Sequence, residues 1–323
     1  MLDRHAHRVR GAATTRRSPR MTGITLSADD FSRLRDLRAS APHEIATRLR
    51  DRRRRDLLGV DGKLFIVAAD HPARGALAVG SDPMAMADRY DLLDRLATAL
   101  KRPGVDGVLG TPDIIDDLAA LGLLDDKIVV GSMNRGGLRG ATFEMDDRYG
   151  AYTVDELAAI GADFAKTLIR INLDDAGTAP TLQATADAVT AAARARLPIM
   201  LEPFLSRWKD GHIVNDLSTD AVIASIAIAA GLGASSAYTW MKLPVVEDME
   251  RVMAATTMPT LLLGGDSGAD PDQTFAAWED ALTLPGVRGL TVGRTLLYPP
   301  DGDVVSAVDA AAGLVRGVAA SAR

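Results

Sequence analysis

Two lysines and two carboxylates stand in four short apolar runs of the sequence. Asp70 closes the run LFIVAAD, Lys166 lies in FAKTLIRIN, Glu202 in PIMLEPF and Lys242 in YTWMKLPV. Burying an unpaired charge in such surroundings costs several kcal/mol. The four charges must therefore pair with one another or take part in chemistry. The chemistry open to a desolvated lysine is attack of its neutral amine on a carbonyl carbon.

Lys242 is the main candidate for such a nucleophile. Strand alternation would place Tyr238, Trp240 and Lys242 on one face, in line with two aromatic rings. Burial of this kind lowers the pKa of a lysine. A strand-end lysine can also bury its stem and reach solvent with its ammonium group, and residue type alone leaves that alternative open.

Eight apolar runs, each followed by a loop and a helical stretch, must position these residues. The runs are rich in Val, Ile and Leu, which is typical of parallel strands buried on both faces. Eight such units in about 260 residues favour an α/β fold of the (β/α)8 TIM-barrel class, with an N-terminal helical extension. The expected strands are Leu64–Asp70, Val105–Thr111, Ile128–Met133, Phe164–Asn172, Pro198–Phe204, Tyr238–Val245, Thr260–Asp266 and Gly289–Leu296.

A barrel would bring the four charged residues together, because catalytic groups of this fold lie at the carboxyl ends of several strands. Three local alternatives are compatible with the same residues. Lys166 and Glu202 could form a structural ion pair, Asp70 with His71 could cap the following helix, and the glycines at 264 and 265 could form a tight turn. None of these alternatives explains why all of these residues fall at strand ends.

Residues 1–60 differ in charge from the predicted barrel at 61–323. They carry 15 arginines, no lysine and 7 acidic residues, while 22 basic and 36 acidic residues follow. We interpret 1–60 as a basic tail and a cap of two helices, one starting at Ser27 and one at about 42–57. The run DRRRRD has no interleaved aromatic residue, so we predict a solvated or subunit-facing helix in a homo-oligomer and no nucleic-acid binding.

Several classes of protein are disfavoured by composition and motif. The chain has no cysteine, which fits a cytoplasmic protein and removes thiolate metal sites. It lacks an apolar run of the roughly 20 residues that span a membrane and shows no secretory signal, although Met21 is a possible start. Three of five histidines lie in the cap, and His71 and His212 lack metal-ligand spacing. Neither a P-loop nor a G-x-S-x-G motif occurs. We predict no metal and no cofactor.

The four charged residues on strands 1, 4, 5 and 6 resemble the active site of class I, Schiff-base aldolases of the fructose- and tagatose-bisphosphate type. The segments LLLGGDSGADPDQTF and VGRTL are similar to the phosphate-binding segments of that family. Asp266 departs from the pattern, because a negative charge in that loop would repel a phosphate. The chain also resembles actinobacterial aldolase-like barrels linked to inositol breakdown.

The resemblance implies a role for each residue. Lys242 would form the Schiff base, with its pKa lowered by Lys166, Trp240 and Tyr238. Glu202, with a pKa raised by burial, would move protons during imine formation, and Asp70 would accept the hydroxyl proton as the C–C bond breaks. The expected phosphate ligands are Gly264, Gly265, Ser267, Gly293 and Arg294. A second phosphate or a carboxylate would meet Arg170, Asn172 or Arg135.

The implied reaction is metal-independent cleavage of a phosphorylated keto-sugar to dihydroxyacetone phosphate and an aldehyde. The inositol link suggests 2-deoxy-5-keto-gluconate 6-phosphate, which would give malonic semialdehyde. Fructose or tagatose bisphosphates and a sulfo-sugar phosphate are alternatives within the class. Outside it, a sugar-phosphate isomerase or decarboxylase, or a non-catalytic sugar-phosphate-binding barrel, would use the phosphate site without an imine.

Overall fold

A computed structural model describes residues 25–134, 137–264 and 270–317. Eight parallel strands close into a barrel, since the first strand pairs with the last as well as with the second. This confirms the predicted (β/α)8 fold. The strands are β1 Leu64–Ala68, β2 Gly107–Gly110, β3 Ile128–Ser132, β4 Phe164–Ile171, β5 Ile199–Lys209, β6 His212–Asn215, β7 Thr239–Leu243, β8 Thr260–Leu263 and β9 Val287–Val292.

Helices surround the barrel and extend it at the amino terminus. The helices are α1 Ala28–Ser40, α2 His43–Asp51, α3 Arg89–Leu100, α4 Pro112–Ala120, α5 Val154–Ala159, α6 Thr178–Ala195, α7 Thr219–Ala230, α8 Met249–Ala254, α9 Pro271–Leu282, α10 Arg294–Leu297 and α11 Val304–Arg316, with a 3-10 turn at Pro72–Arg74. None of the helices in the described ranges is both long and apolar enough to cross a bilayer.

The strand β6 was not predicted. It pairs antiparallel with the end of β5 and forms a hairpin that extends beyond the barrel. The connecting residues Asp210 and Gly211 both have positive φ, 51° and 76°. An Asp-Gly pair between two strand-forming segments is a hairpin signal, so the sequence did contain the evidence for this element.

The half of the barrel interior toward the amino-terminal ends of the strands, which we call the lower half, is a small apolar core. Inward-facing residues from seven strands fill it, and the ring of Phe164 meets that of Trp240 edge-on with centroids 5.2 Å apart. Leu57 and Leu58, from the segment before β1, pack against this core. The amino-terminal end of the barrel is therefore filled with side chains, and any ligand site must lie at the other end.

The arginine run after α2 is not helical, which corrects the expected helix to residue 57. Helix α2 ends at Asp51, and Arg52 is 7% exposed. Its guanidinium donates to the carbonyls of Leu49, Ile160 and Gly161 and pairs with Asp163 at 3.1 Å. The predicted helix is therefore wrong at this position, and Arg52 is bound to the barrel instead of being solvated. A subunit-facing role of the run stays a prediction.

Two buried carboxylates receive the last two arginines of the run. Arg54 pairs with Asp163, and Arg55 pairs with Asp106, which also accepts from Arg316. The same two carboxylates accept backbone N–H groups at the starts of strands, from Val129 and Phe65. The segment 52–58, which we call the N-terminal strap, thus ties α2 to the amino-terminal end of the barrel.

Candidate active site

The four charged residues singled out in the sequence meet inside the barrel. Lys166 Nζ lies 3.0 Å from Asp70 Oδ2 and 2.6 Å from Glu202 Oε2. Lys242 Nζ lies 2.6 Å from the other oxygen of Glu202, Oε1. All four side chains are buried. They form one continuous ion-pair network in the order Asp70, Lys166, Glu202, Lys242.

Strand alternation explains how this network is positioned. Phe164, Met200 and Trp240 belong to the lower apolar core, and the network residue of each strand follows two positions later. Residues two apart on a strand share a face, so Lys166, Glu202 and Lys242 form the next inward layer. Asp70 follows β1 at the same end. The network therefore lies directly above the apolar core, toward the carboxyl ends of the strands.

Burial lowers the pKa of the Lys242 amine, and the charge of Lys166 acts in the same direction against the favourable pairing with Glu202. The predicted lowering of the Lys242 pKa by Trp240 fits the position of its ring in the apolar layer below the network. The predicted effect of Tyr238 on the pKa of Lys242 is wrong. Tyr238 precedes β7, and its side chain is half-exposed at the amino-terminal end of that strand. At about 3.3 Å per residue, it lies roughly 13 Å along the chain from Lys242.

The pKa of Glu202 shifts in the direction opposite to the one predicted. Burial alone would raise its pKa, but the charges of Lys166 and Lys242 outweigh burial and lower the pKa to about 2. The predicted upward shift is wrong because it counted burial and one lysine where two are in contact. Glu202 is therefore an ionised carboxylate at neutral pH, and its two oxygens face Lys166 and Lys242.

Ser132 joins the network and was missed in the sequence. Its hydroxyl donates to Asp70 Oδ2 at 2.9 Å, the oxygen that also faces Lys166. Ser132 is fully buried at the end of β3, two residues after the inward-facing Val130. Its inward-facing position at the end of a predicted strand was the signal available in the sequence. Serine is common enough in strands that its type alone did not identify it.

The side chains of Asp70 and His71 do not cap a helix. The 3-10 turn that follows has no side-chain cap at His71, and Asp70 is engaged by Lys166 and Ser132 instead. The His71 imidazole stands beside the network, with Nδ1 3.8 Å from Asp70 Oδ1. The capping alternative for this pair is therefore wrong.

The strand-end glycines at 264 and 293 are required by packing. A Cβ at Gly264 would lie 2.6 Å from Val292 Cγ1, and one at Gly293 would lie 2.4 Å from the carbonyl oxygen of Ala68. Arg294 follows, and its Nη1 donates to the Ala78 carbonyl at 3.4 Å. These residues lie at the carboxyl ends of β8 and β9, where phosphate binding stays a prediction. Gly265, Ser267, Asp266 and Arg135 lie outside the described residues.

Two further candidates have structural partners. The buried guanidinium of Arg170 pairs with Glu144, lies 3.5 Å from Asp147 and donates to the Gly137 carbonyl. The carbonyl of Asn172 accepts from the Thr178 hydroxyl, and its side chain accepts from Asp174. These contacts favour roles in shaping the loops after β3 and β4, and direct substrate contact stays a prediction.

Metal ligation finds no support in the described ranges. No group of three or more His, Asp or Glu side chains there is arranged to hold a metal ion. Lys242 contacts Glu202, and Asp70 lies beyond Lys166, so both carboxylates of the network are engaged by lysine side chains. The arrangement suits chemistry on an amine.

Comparison with known proteins agrees with this geometry. A family model described as Cgl0159-like matches residues 62–312. The crystal structure of Cgl0159 from Corynebacterium glutamicum has a TM-score of 0.90 and 72% sequence identity, covering 91% of this chain and 99% of that one. An archaeal fructose-1,6-bisphosphate aldolase, with its catalytic lysine bound to the carbinolamine intermediate, shares the fold at TM-score 0.56 and 21% identity, covering 84% of this chain and 99% of that chain.

One curated relative carries a named reaction. The 2-amino-4,5-dihydroxy-6-oxo-7-(phosphonooxy)heptanoate synthase of Streptomyces griseus is 25% identical over 243 residues, which is 74% of this chain and 80% of the relative. Together these similarities describe an aldolase-like barrel.

Proposed function

The chain belongs to the Cgl0159-like family, and from that premise we propose that it is a class I aldolase whose Schiff base forms on Lys242. One observation carries the proposal. Lys242 is buried at the carboxyl end of β7, with its amine 2.6 Å from a carboxylate that a second lysine also holds. A buried amine of lowered pKa beside a proton-transfer group is what imine formation requires.

The first stage joins Lys242 to the ketone. Neutral Nζ attacks the carbonyl carbon, the C–N bond forms, and the carbonyl π electrons move to oxygen. Two protons leave the Lys242 nitrogen in all, one when the ammonium becomes the neutral amine and one after the attack. Glu202 Oε1 relays both to the carbonyl oxygen, which first becomes the carbinolamine hydroxyl and then leaves as water, so that the iminium keeps a single N–H. Loss of the ammonium charge removes one of the two cations that lower the pKa of Glu202, so its carboxylate becomes a better proton acceptor at this step.

The second stage breaks the carbon–carbon bond. Asp70 removes the proton from the hydroxyl on the carbon β to the iminium, and the O–H electrons form the new carbonyl. The C–C electrons move into the iminium and give an enamine, which is protonated and hydrolysed to release the ketone product. Lys166 and Ser132 both contact Asp70 Oδ2 and hold the carboxylate in place.

The proposed substrate is a ketose phosphate with the phosphate on the carbon next to the ketone. Fructose 1,6-bisphosphate, the substrate in the archaeal aldolase's name, has a ketone with a phosphate on the adjacent carbon. The 6-oxo-7-(phosphonooxy)heptanoate in the name of the Streptomyces enzyme has the same arrangement. Cleavage beyond the adjacent hydroxyl-bearing carbon releases dihydroxyacetone phosphate in either case. Within this class we favour 2-deoxy-5-keto-gluconate 6-phosphate, cleaved to dihydroxyacetone phosphate and malonic semialdehyde in inositol catabolism.

Borohydride trapping tests the proposal. We expect the protein incubated with dihydroxyacetone phosphate and borohydride to gain a covalent adduct on Lys242, read by peptide mass spectrometry. Lys242→Met should give no adduct, while the matched variant Lys166→Met should still be labelled on Lys242, more slowly at neutral pH because the amine loses a neighbouring cation. A wild-type protein that stays unlabelled with every ketose phosphate would contradict the aldolase and favour a phosphate-binding barrel or an isomerase.

A further inference from the structure

One ring nitrogen of His71 is buried beside the network. Its Nδ1 is shielded from solvent and finds no hydrogen-bond partner among the residues that the structure describes. The nearest carboxylate oxygen, Asp70 Oδ1, is 3.8 Å away, which is too long for a hydrogen bond. Buried polar atoms in native proteins are nearly always paired, so an unpaired one beside a reactive network suggests that a ligand completes it.

We propose that His71 is a further catalytic residue, whose Nδ1 binds, jointly with Asp70, the substrate oxygen that becomes the aldehyde carbonyl on cleavage. The inference rests on the proposed aldolase function. One oxygen atom placed about 2.8 Å from each group fits between atoms that are 3.8 Å apart. A hydroxyl there donates its proton to the carboxylate and accepts a hydrogen bond from the ring.

The surroundings keep the ring neutral. Burial is the main cause of a His71 pKa lowered to about 3, against the attraction of Asp70 and with help from Arg294, Arg74 and Lys242. A neutral imidazole carries one N–H and one acceptor nitrogen, so it can donate to a substrate oxygen without forming a lasting ion pair with Asp70. The donor required here is the Nδ1–H tautomer.

The glycine that follows β9 leaves room for the ring. A Cβ at Gly293 would lie 3.0 Å from His71 Cε1, so a side chain at this position would press on the imidazole. Gly293 thus leaves space for the ring beside Asp70. This packing gives the glycine a function in addition to the close approach of β9 to β1.

The proposed step leaves the proton count of His71 unchanged. As Asp70 takes the hydroxyl proton, negative charge develops on the oxygen until the C–C electrons enter the iminium. The Nδ1–H hydrogen bond stabilises that charge and is still present when the aldehyde forms. In the synthetic direction, the same N–H polarises the incoming aldehyde, and the proton returns from Asp70.

Three substitutions at one position test the inference. Asn places its amide nitrogen near Nδ1 of the histidine, Gln places it near Nε2, and Ala removes both. We expect His71→Ala to lower kcat for cleavage by about 10²–10³-fold, as for loss of one oxyanion donor. His71→Asn should recover at least about tenfold of that loss, and His71→Gln should resemble His71→Ala. Borohydride labelling by dihydroxyacetone phosphate alone should be unchanged in all three.

The possible outcomes separate this inference from the proposed function. If the wild type is not labelled, the aldolase proposal fails and the role of His71 fails with it. If the wild type is labelled normally, three results with the variants would overturn the inference alone. These are an unchanged kcat in His71→Ala, equal activity of the Asn and Gln variants, or a loss of labelling in the variants that parallels their loss of turnover. Circular dichroism melting of each variant identifies any that misfolds, and His71→Asn is the variant expected to keep the native packing.

Discussion

At the scale of single residues, the site depends on Glu202 more than the sequence suggested. The carboxylate binds Lys166 through one oxygen and Lys242 through the other, both at 2.6 Å. It therefore compensates two buried cations at once. Removing one partner of a buried pair leaves an uncompensated charge, which is far more costly than the net value of the pair.

We predict that Glu202→Gln destabilises the protein by roughly 3–5 kcal/mol at pH 7. Because the pKa of Glu202 is lowered to about 2 in the fold, the folded state binds fewer protons than the unfolded state between about pH 4.5 and pH 2. The stabilisation by Glu202 is thus complete above that window and is lost as pH falls through it. Urea unfolding at pH 7, 4 and 3 measures the difference between wild type and variant.

The matched control is Glu247→Gln, which changes an exposed glutamate five residues after Lys242. It should alter the free energy of unfolding by no more than about 0.5 kcal/mol at any of the three pH values. A Glu202→Gln effect that stays constant from pH 7 to pH 3 would contradict the charge state assigned to Glu202.

At the scale of elements, the barrel and its network could be predicted because both depend on alternation along a strand. The apolar residues at 164, 200 and 240 and the charged residues two positions later follow one rule. The pKa of Glu202 could not be predicted, because it depends on distances between strands. The arginine run was misread because four adjacent charges usually mean solvent, whereas Arg52 has buried partners more than 100 residues away in sequence.

The N-terminal strap gives a prediction within one run of arginines. Arg52→Met should destabilise the fold by about 3–5 kcal/mol, because Asp163 and three backbone carbonyls lose a buried donor. The adjacent Arg53 pairs with Asp125 and Asp126 at the surface, so Arg53→Met should leave the free energy of unfolding nearly unchanged. Chemical denaturation of both variants measures the contrast, and equal costs would show that the strap is not held through Arg52.

At the scale of the whole molecule, the barrel is completed by residues outside the family match. That match begins at residue 62, whereas Leu57 and Leu58 fill the amino-terminal end of the interior and the strap arginines neutralise Asp106 and Asp163. Residues of α1 and α2, such as Leu34 and Leu49, belong to the main core. The division between a cap at 1–60 and a barrel at 61–323 stays a prediction, but the two parts share one core.

We predict that a protein beginning at residue 62 is insoluble or melts roughly 10 °C or more below the full chain, since several kcal/mol of packing and ion pairing are lost. A protein beginning at Thr25 keeps the contacts of Thr25 and Leu26 with Asp94 and should melt close to the full chain. Circular dichroism melts compare the three. Equal melting of the version from residue 62 would mean that the barrel closes without the strap.

The pairing of Lys242 with Glu202 has a consequence for the order of charges along the reaction. An ammonium group and an iminium group both place one positive charge on the same nitrogen, so the resting pair at 2.6 Å already has the electrostatics of the covalent intermediate. Between these two states, the amine and the carbinolamine are the species without that charge. Glu202 therefore serves as the counter-ion of the nitrogen both before attack and in the iminium, and it faces an uncharged nitrogen in the amine, the carbinolamine and the later enamine.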